Sequence, residues 1–136
     1  MAAAVDRLLD EARAELGPRP GPDDLDRLVA EGALVVDTRP EAVRRAEGAL
    51  PGAVVIERNV LEWRLGPDGD HRHPDAGDPG RVVVLVCNDG YASSLAAVAL
   101  RRLGVPRATD LDGGYRAWAA RRPVHAASTD RTRPGP

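Results

Sequence analysis

Residues 81–97 read Arg-Val-Val-Val-Leu-Val-Cys-Asn-Asp-Gly-Tyr-Ala-Ser-Ser-Leu-Ala-Ala. The unbroken apolar run from Val82 to Val86 fits a strand buried on both faces, because a strand with one wet face alternates apolar and polar residues. The run stops at Cys87, the chain's only cysteine, crosses a turn-forming Asn-Asp-Gly and enters an alanine-rich helix. The thiol therefore stands at the carboxyl end of a strand, facing the amino end of a helix. Ligands bind at that edge of open α/β sheets, and backbone N–H groups converge there on negative charge. A thiolate is such a charge, so the chain reads as a small enzyme, or enzyme-derived domain, built around Cys87.

Outward from this stretch, helical and extended patterns alternate. Val5, Leu8, Leu9, Ala12 and Leu16 recur at helical spacing over residues 5–16. Gly17-Pro-Arg-Pro-Gly-Pro22 then breaks the chain, so this first helix is expected to dock as an accessory. Asp23 or Asp24 caps a second helix that carries Leu25, Leu28 and Val29 and stops near Gly32. Strands are expected at Ala33–Asp37, Ala53–Ile56, Val82–Val86 and Ala108–Leu111. Between them lie helical stretches at 41–46, 60–65 and 93–103, and Tyr115–Ala120 forms a last helix. Residues 66–80, dense in Pro, Gly and Asp, read as a loop. Solid apolar strands alternating with helices imply a mainly parallel sheet covered on both faces.

The 136 residues, 43% apolar but with only two Trp, two Tyr and no Phe, suit one core of Val, Leu and Ala. A net charge of −2 predicts affinity for neither nucleic acid nor a membrane surface. There is no lysine, which excludes a Schiff-base lysine, a phosphate-loop lysine and a lysine general base. One cysteine forms no intrachain disulfide and leaves no second thiol to resolve it. The opening residues carry Asp6 and Arg7 instead of a sustained apolar segment, so a reduced, cytoplasmic setting is expected. His71 and His73 lie in the Pro/Gly loop without a rigid scaffold, and no metal site is expected there.

Sulfur nucleophilicity belongs to the thiolate. Two or three loop amides between Asn88 and Ser93, each contributing about 1.5–3 kcal/mol to a charged acceptor, are enough to favour that anion. Gly90 lets the backbone curl so that successive N–H groups face inward, and Ser93 or Ser94 is placed to cap the following helix. Asp89 opposes the anion. At about 6 Å its repulsion is about 3 kcal/mol at an effective dielectric of 20 and below about 1 kcal/mol in water, so Asp89 is expected to face outward.

Four segments in register resemble the rhodanese-like family of sulfurtransferase domains, over roughly residues 22–125. Leu34-Val-Val-Asp-Thr-Arg39, followed by Glu41, is similar to the family's Asp-x-Arg motif. Gly48-Ala-Leu-Pro-Gly-Ala53 is similar to its Gly-His-Ile-Pro-Gly-Ala signature, with Ala49 in the place of histidine. Cys87-Asn-Asp-Gly-Tyr-Ala92, continued by Ser93-Ser94, resembles the six-residue active-site loop. Leu111-Asp-Gly-Gly-Tyr-Arg-Ala-Trp118, then Pro123-Val124, is similar to the closing Gly-Gly-x-x-x-Trp pattern.

The resemblance implies an α/β fold with a five-stranded, mostly parallel sheet flanked by helices on both faces. With the periodicity and composition outside it, the chain divides into an amino-terminal helix and linker (1–21), the rhodanese-like domain (22–125) and a polar, proline-bearing tail expected to be disordered (126–136). The resemblance also implies a thiosulfate sulfurtransferase-like activity in which Cys87 takes sulfane sulfur as a persulfide and passes it to cyanide, a thiol or a thioredoxin-like protein. No cofactor is implied. Asn88, Asp89, Gly90, Tyr91, Ala92 and Ser93 become the substrate loop, Arg58 a candidate anion contact, and Asp37 with Arg39 a supporting ion pair. Phosphatase relatives carry a loop one residue longer ending in an arginine, which this loop lacks. The rival reading is a catalytically weak binding or redox-sensing module, motivated by Asp89 and the extra helix.

Overall fold

The computed structural model describes residues 3–121. Helix α1 (Ala4–Leu16) precedes a one-turn 3-10 segment at Pro22–Asp24 and helix α2 (Leu25–Ala30). Strand β1 (Leu34–Asp37), α3 (Glu41–Glu47), β2 (Val54–Val55) and α4 (Leu61–Leu65) follow. Strand β3 (Val83–Val86), α5 (Ala92–Leu103), β4 (Ala108–Asp110) and α6 (Gly114–Arg121) complete the order. The proposed tail and Pro123-Val124 lie outside the described residues. No described helix is long and apolar enough to cross a membrane.

The four strands make one sheet in the order β2-β1-β3-β4, and every pairing is parallel. These are the four strands read from the residues. The fifth strand implied by the family has no counterpart among the described residues. Beyond β4 runs the Pro18–Pro22 segment, and prolines lack the N–H a ladder needs. Its one backbone bond there is the Asp112 N–H donating to the Pro20 carbonyl at 2.9 Å. β2 is also shorter than expected, since Ala53 N–H turns back to the Leu50 carbonyl.

Residues alternate between two cores as a sheet dictates. Leu34, Val36, Val83 and Leu85 enter one, beneath Leu61 and Leu65 of α4 and Ala96, Ala97 and Leu100 of α5. Val35, Val84 and Val86 face the other, against Leu25, Leu50, Leu111 and Tyr115. Helix α1 is more than an appendage: Ala12 and Leu16 are buried in the first core. Arg101 of α5 donates to the Glu15 and Leu16 carbonyls, closing a helix end that otherwise lacks donors. The parallel register sets Asp37 beside Val86 and Leu85 beside Asp110. Asp37, Cys87 and Asp110 thereby share the carboxyl edge of the sheet.

Candidate active site

Cys87 leaves β3 half-buried, and its sulfur is met by two backbone donors, Gly90 N at 3.2 Å and Ser93 N at 3.4 Å. The Ser93 N–H belongs to the first turn of α5 and has no partner within the helix. Ser93 Oγ stands 3.1 Å from the same sulfur. Turning N–H groups inward turns carbonyls outward, and these are taken up by α6: Tyr115 N donates to the Cys87 carbonyl at 2.8 Å and Arg116 N to the Asn88 carbonyl at 3.0 Å.

This seating explains the Gly113-Gly114 pair. Gly114 has φ +64°, and a Cβ there would lie 2.5 Å from the Cys87 carbonyl oxygen. Gly90 has φ +84°, and its Cβ would meet Gly113 N at 2.8 Å. Any side chain at either place pushes loop and helix apart.

Under the loop, Asp37 and Arg39 form a bidentate pair at 3.0 and 2.8 Å, each side chain 1% exposed. The Arg39 backbone N–H also donates to Asp37. Arg39 Nη2 reaches the Gly48 carbonyl, and the guanidinium lies 3.8 Å from the Tyr115 ring centre. Tyr115 Oη donates to the Glu47 carbonyl. The ion pair thus joins β1, the end of α3 and α6.

A family model described as the rhodanese-like domain matches residues 21–121. The chain belongs to the rhodanese-like domain family. This rhodanese-like domain is 31% identical over 110 residues to the thiosulfate sulfurtransferase GlpE of Pseudomonas entomophila strain L48, covering 80% of this chain and 91% of that protein. The human single-domain sulfurtransferase TSTD1 superposes with a TM-score of 0.64 at 26% identity, over 79% of this chain and 99% of that one. A Rhodopseudomonas palustris protein of unknown function, described as a possible tyrosine phosphatase, superposes at 0.77 with 24% identity over 88% and 92%. At that identity it speaks to the fold alone.

Of the remaining residues expected in the site, the loop members lie beside Cys87, while Arg58 pairs with Glu62. Asp89 turns outward onto Arg116 at 3.0 Å. Arg116 also holds both oxygens of Glu47, at 3.0 Å each, and Asn88 Nδ2 donates to Glu47 at 2.9 Å. Tyr91 is 63% exposed, with the Arg13 guanidinium 5.7 Å from its ring. Ala92 opens α5. Arg58 donates to Glu62 one helical turn on at 2.8 Å, a local pairing between neighbours on one helix face. Trp63 lines a surface groove with Glu62, Gly66, His71 and Leu103, none of them in the Cys87 loop.

Neither serine caps α5. The N-cap is Tyr91, with no side-chain cap bond, because Ser93 and Ser94 give their hydroxyl hydrogens to Asp110 Oδ2, at 2.7 and 2.8 Å. A wholly buried carboxylate outcompetes helix-end amides for such donors. Asp110 is completed by Arg19, whose Nε lies 2.7 Å from Oδ1 and Nη2 3.1 Å from Oδ2. Asp110, Arg19 and Arg13 are not among the residues that the sequence motifs single out. The one available signal was an acidic residue inside the short strand Ala108-Thr-Asp110, since a buried charge demands a partner.

The bonds from Arg116 and then Asn88 hold the Glu47 carboxyl below its ordinary value of 4.5. A depressed folded-state value means the contribution is fully present above pH 4.5 and is lost as pH falls through the lower value. Urea unfolding across that acid range should show a loss in wild type that is smaller in Glu47→Gln; identical acid limbs would refute the assignment.

Proposed function

We propose that this rhodanese-like domain is a sulfurtransferase that carries sulfane sulfur on Cys87. One observation carries the reading: the Gly90 and Ser93 N–H groups aimed at the half-buried sulfur. Preorganised main-chain donors favour an anion at that point before any substrate arrives. The same donors are placed to hold a terminal persulfide anion.

The Cys87 thiolate attacks the outer sulfur of thiosulfate, a Cys87–sulfur bond forms, and sulfite leaves with the electron pair of the broken sulfur–sulfur bond. An acceptor then attacks the outer persulfide sulfur. Cyanide departs as thiocyanate, a thiolate as a persulfide, and the Cys87 thiolate is restored. Similarity to a thiosulfate sulfurtransferase over most of the chain supports this donor class, and a thiol or thioredoxin-like protein suits the acceptor step. A reducing, cytoplasm-like compartment suits a lone working thiol. A phosphatase reading finds no support in the loop, where Ser93 rather than arginine follows Ala92.

Incubation with thiosulfate should add about 32 Da, one sulfur, to Cys87 in a form removed by dithiothreitol. No adduct with thiosulfate, mercaptopyruvate or polysulfide defeats the proposal.

A second reading, a catalytically weak binding or redox-sensing module, is favoured by the outer rim, where Arg116 is shared between Asp89 and Glu47 and Arg58 is engaged by Glu62. A dianionic donor meets two carboxylates there. Equal, negligible turnover in wild type and Cys87→Ser would select the module.

A further inference from the structure

A loop that aims N–H groups at a sulfur must place its carbonyls elsewhere, and every one withdrawn from water needs a donor. Helix α6 serves the carbonyls of Cys87 and Asn88. The carbonyl of Gly90 is served instead by the amino-terminal segment. Arg13 Nη2 donates to it at 2.8 Å and Arg19 Nη2 at 3.2 Å, so two guanidinium groups converge on one oxygen. Ser94 Oγ, whose hydrogen goes to Asp110, lies 3.4 Å from the same oxygen. Gly90 itself, without a Cβ, opposes rotation of its peptide planes only weakly.

Arg19 has a second hold. Through Asp110 it fixes Ser93, whose single hydroxyl hydrogen goes to Asp110 Oδ2 at 2.7 Å. That leaves a Ser93 lone pair to accept the Cys87 S–H at 3.1 Å, and leaves the Gly90 and Ser93 backbone N–H groups as the donors to the sulfur. Arg19 sits between two prolines with its side chain 10% exposed, so its backbone is constrained before the guanidinium is delivered. Burial works to lower the Arg19 pKa, but the bond and charge of Asp110, together with the charges of Asp112 and Cys87, raise it on balance. Arg13 is the last-turn arginine of α1, whose Ala12 and Leu16 are buried in the core.

We propose that Arg13 and Arg19 are positioning residues of the Cys87 loop, acting through the Gly90 carbonyl and the Asp110 carboxylate, and that the segment before residue 22 is thereby a working part of the active site. The proposal rests on the sulfurtransferase reading only in taking Cys87 as the reacting atom. It concerns loop shape: the guanidinium groups lie behind the amides and bind the loop, not the incoming reagent.

The test is the second-order rate of Cys87 alkylation in the full chain, measured by mass with neutral iodoacetamide and anionic iodoacetate. Arg13→Gln should slow both reagents alike, by about tenfold, the equivalent of one lost bond of about 1.4 kcal/mol. Arg13→Lys should restore most of the rate. Arg19→Gln with Asp110→Asn, which removes both buried charges together, should also slow both reagents; if that pair unfolds, the Arg13 variants decide. Unchanged rates in folded Arg13→Gln overturn the proposal. So does a loss confined to iodoacetate, which would make the arginines docking charges for anions. Because alkylation needs no sulfur donor, these failures are distinct from failure to form a persulfide.

Discussion

On the proposed function, Cys87→Ser is expected to abolish sulfur uptake and to lower cyanide-dependent turnover by at least about 10³-fold, with the fold retained. The substitution exchanges one atom. Its hydroxyl still accepts the Gly90 and Ser93 N–H bonds that now reach the sulfur, so the loop has little reason to reorganise. What disappears is a group that ionises readily and forms a sulfur–sulfur bond. Circular dichroism and the urea midpoint should match wild type, while mass spectrometry finds no added sulfur. Persulfide-dependent turnover surviving in the variant would move the chemistry off Cys87 altogether, since the chain holds no other thiol.

Asp37→Ala is expected to destabilise the protein by about 3–5 kcal/mol, the usual cost of removing one member of a buried ion pair. The Arg39 guanidinium keeps its place at 1% exposure but loses both charged bonds, and the Arg39 backbone N–H loses its acceptor. Against a total stability of about 5–15 kcal/mol, that loss brings the domain close to unfolding. Urea denaturation measures it directly. A companion variant, Asp37→Ala with Arg39→Met, removes the stranded charge and should recover much of the loss, because the penalty lies in the unpaired cation more than in the missing attraction. Arg39 also holds the Gly48 carbonyl and covers the Tyr115 ring, so recovery stays incomplete. A loss below about 1 kcal/mol in Asp37→Ala would show that the pair is not what ties β1 to α6.

The parts of the site that could be read in the sequence are those made by neighbours. The strand ending at Cys87, the Gly90 bend and the helix behind it occupy one continuous stretch, and their geometry follows from local apolar pattern and glycine placement. The same holds for Asp37 and Arg39, two residues apart. Arg13, Arg19 and Asp110 were illegible because the arginine contacts join residues 71–91 positions apart and Asp110 meets the two serines across 16–17 positions, at distances fixed only once α1 lies on α5. The misreading of Ser93 and Ser94 as helix caps has the same origin: local rules offered them an amide, and tertiary packing offered a carboxylate. Arg58 shows the converse. Its nearness in sequence to the end of a strand suggested an anion site, while a partner four residues away claimed it.

The borders of the sheet bear on how the protein keeps to itself in a crowded solution. An open strand edge is a template on which another chain can polymerise. Here β2 is only two residues long, and just past the end of β4 a proline-rich stretch lends one carbonyl to Asp112. Among the described residues, β2 is too short for a long ladder, and the prolines beside the end of β4 add no N–H donors to that rim. The stretch that delivers Arg19 to the loop therefore doubles as a guard on an otherwise adhesive rim.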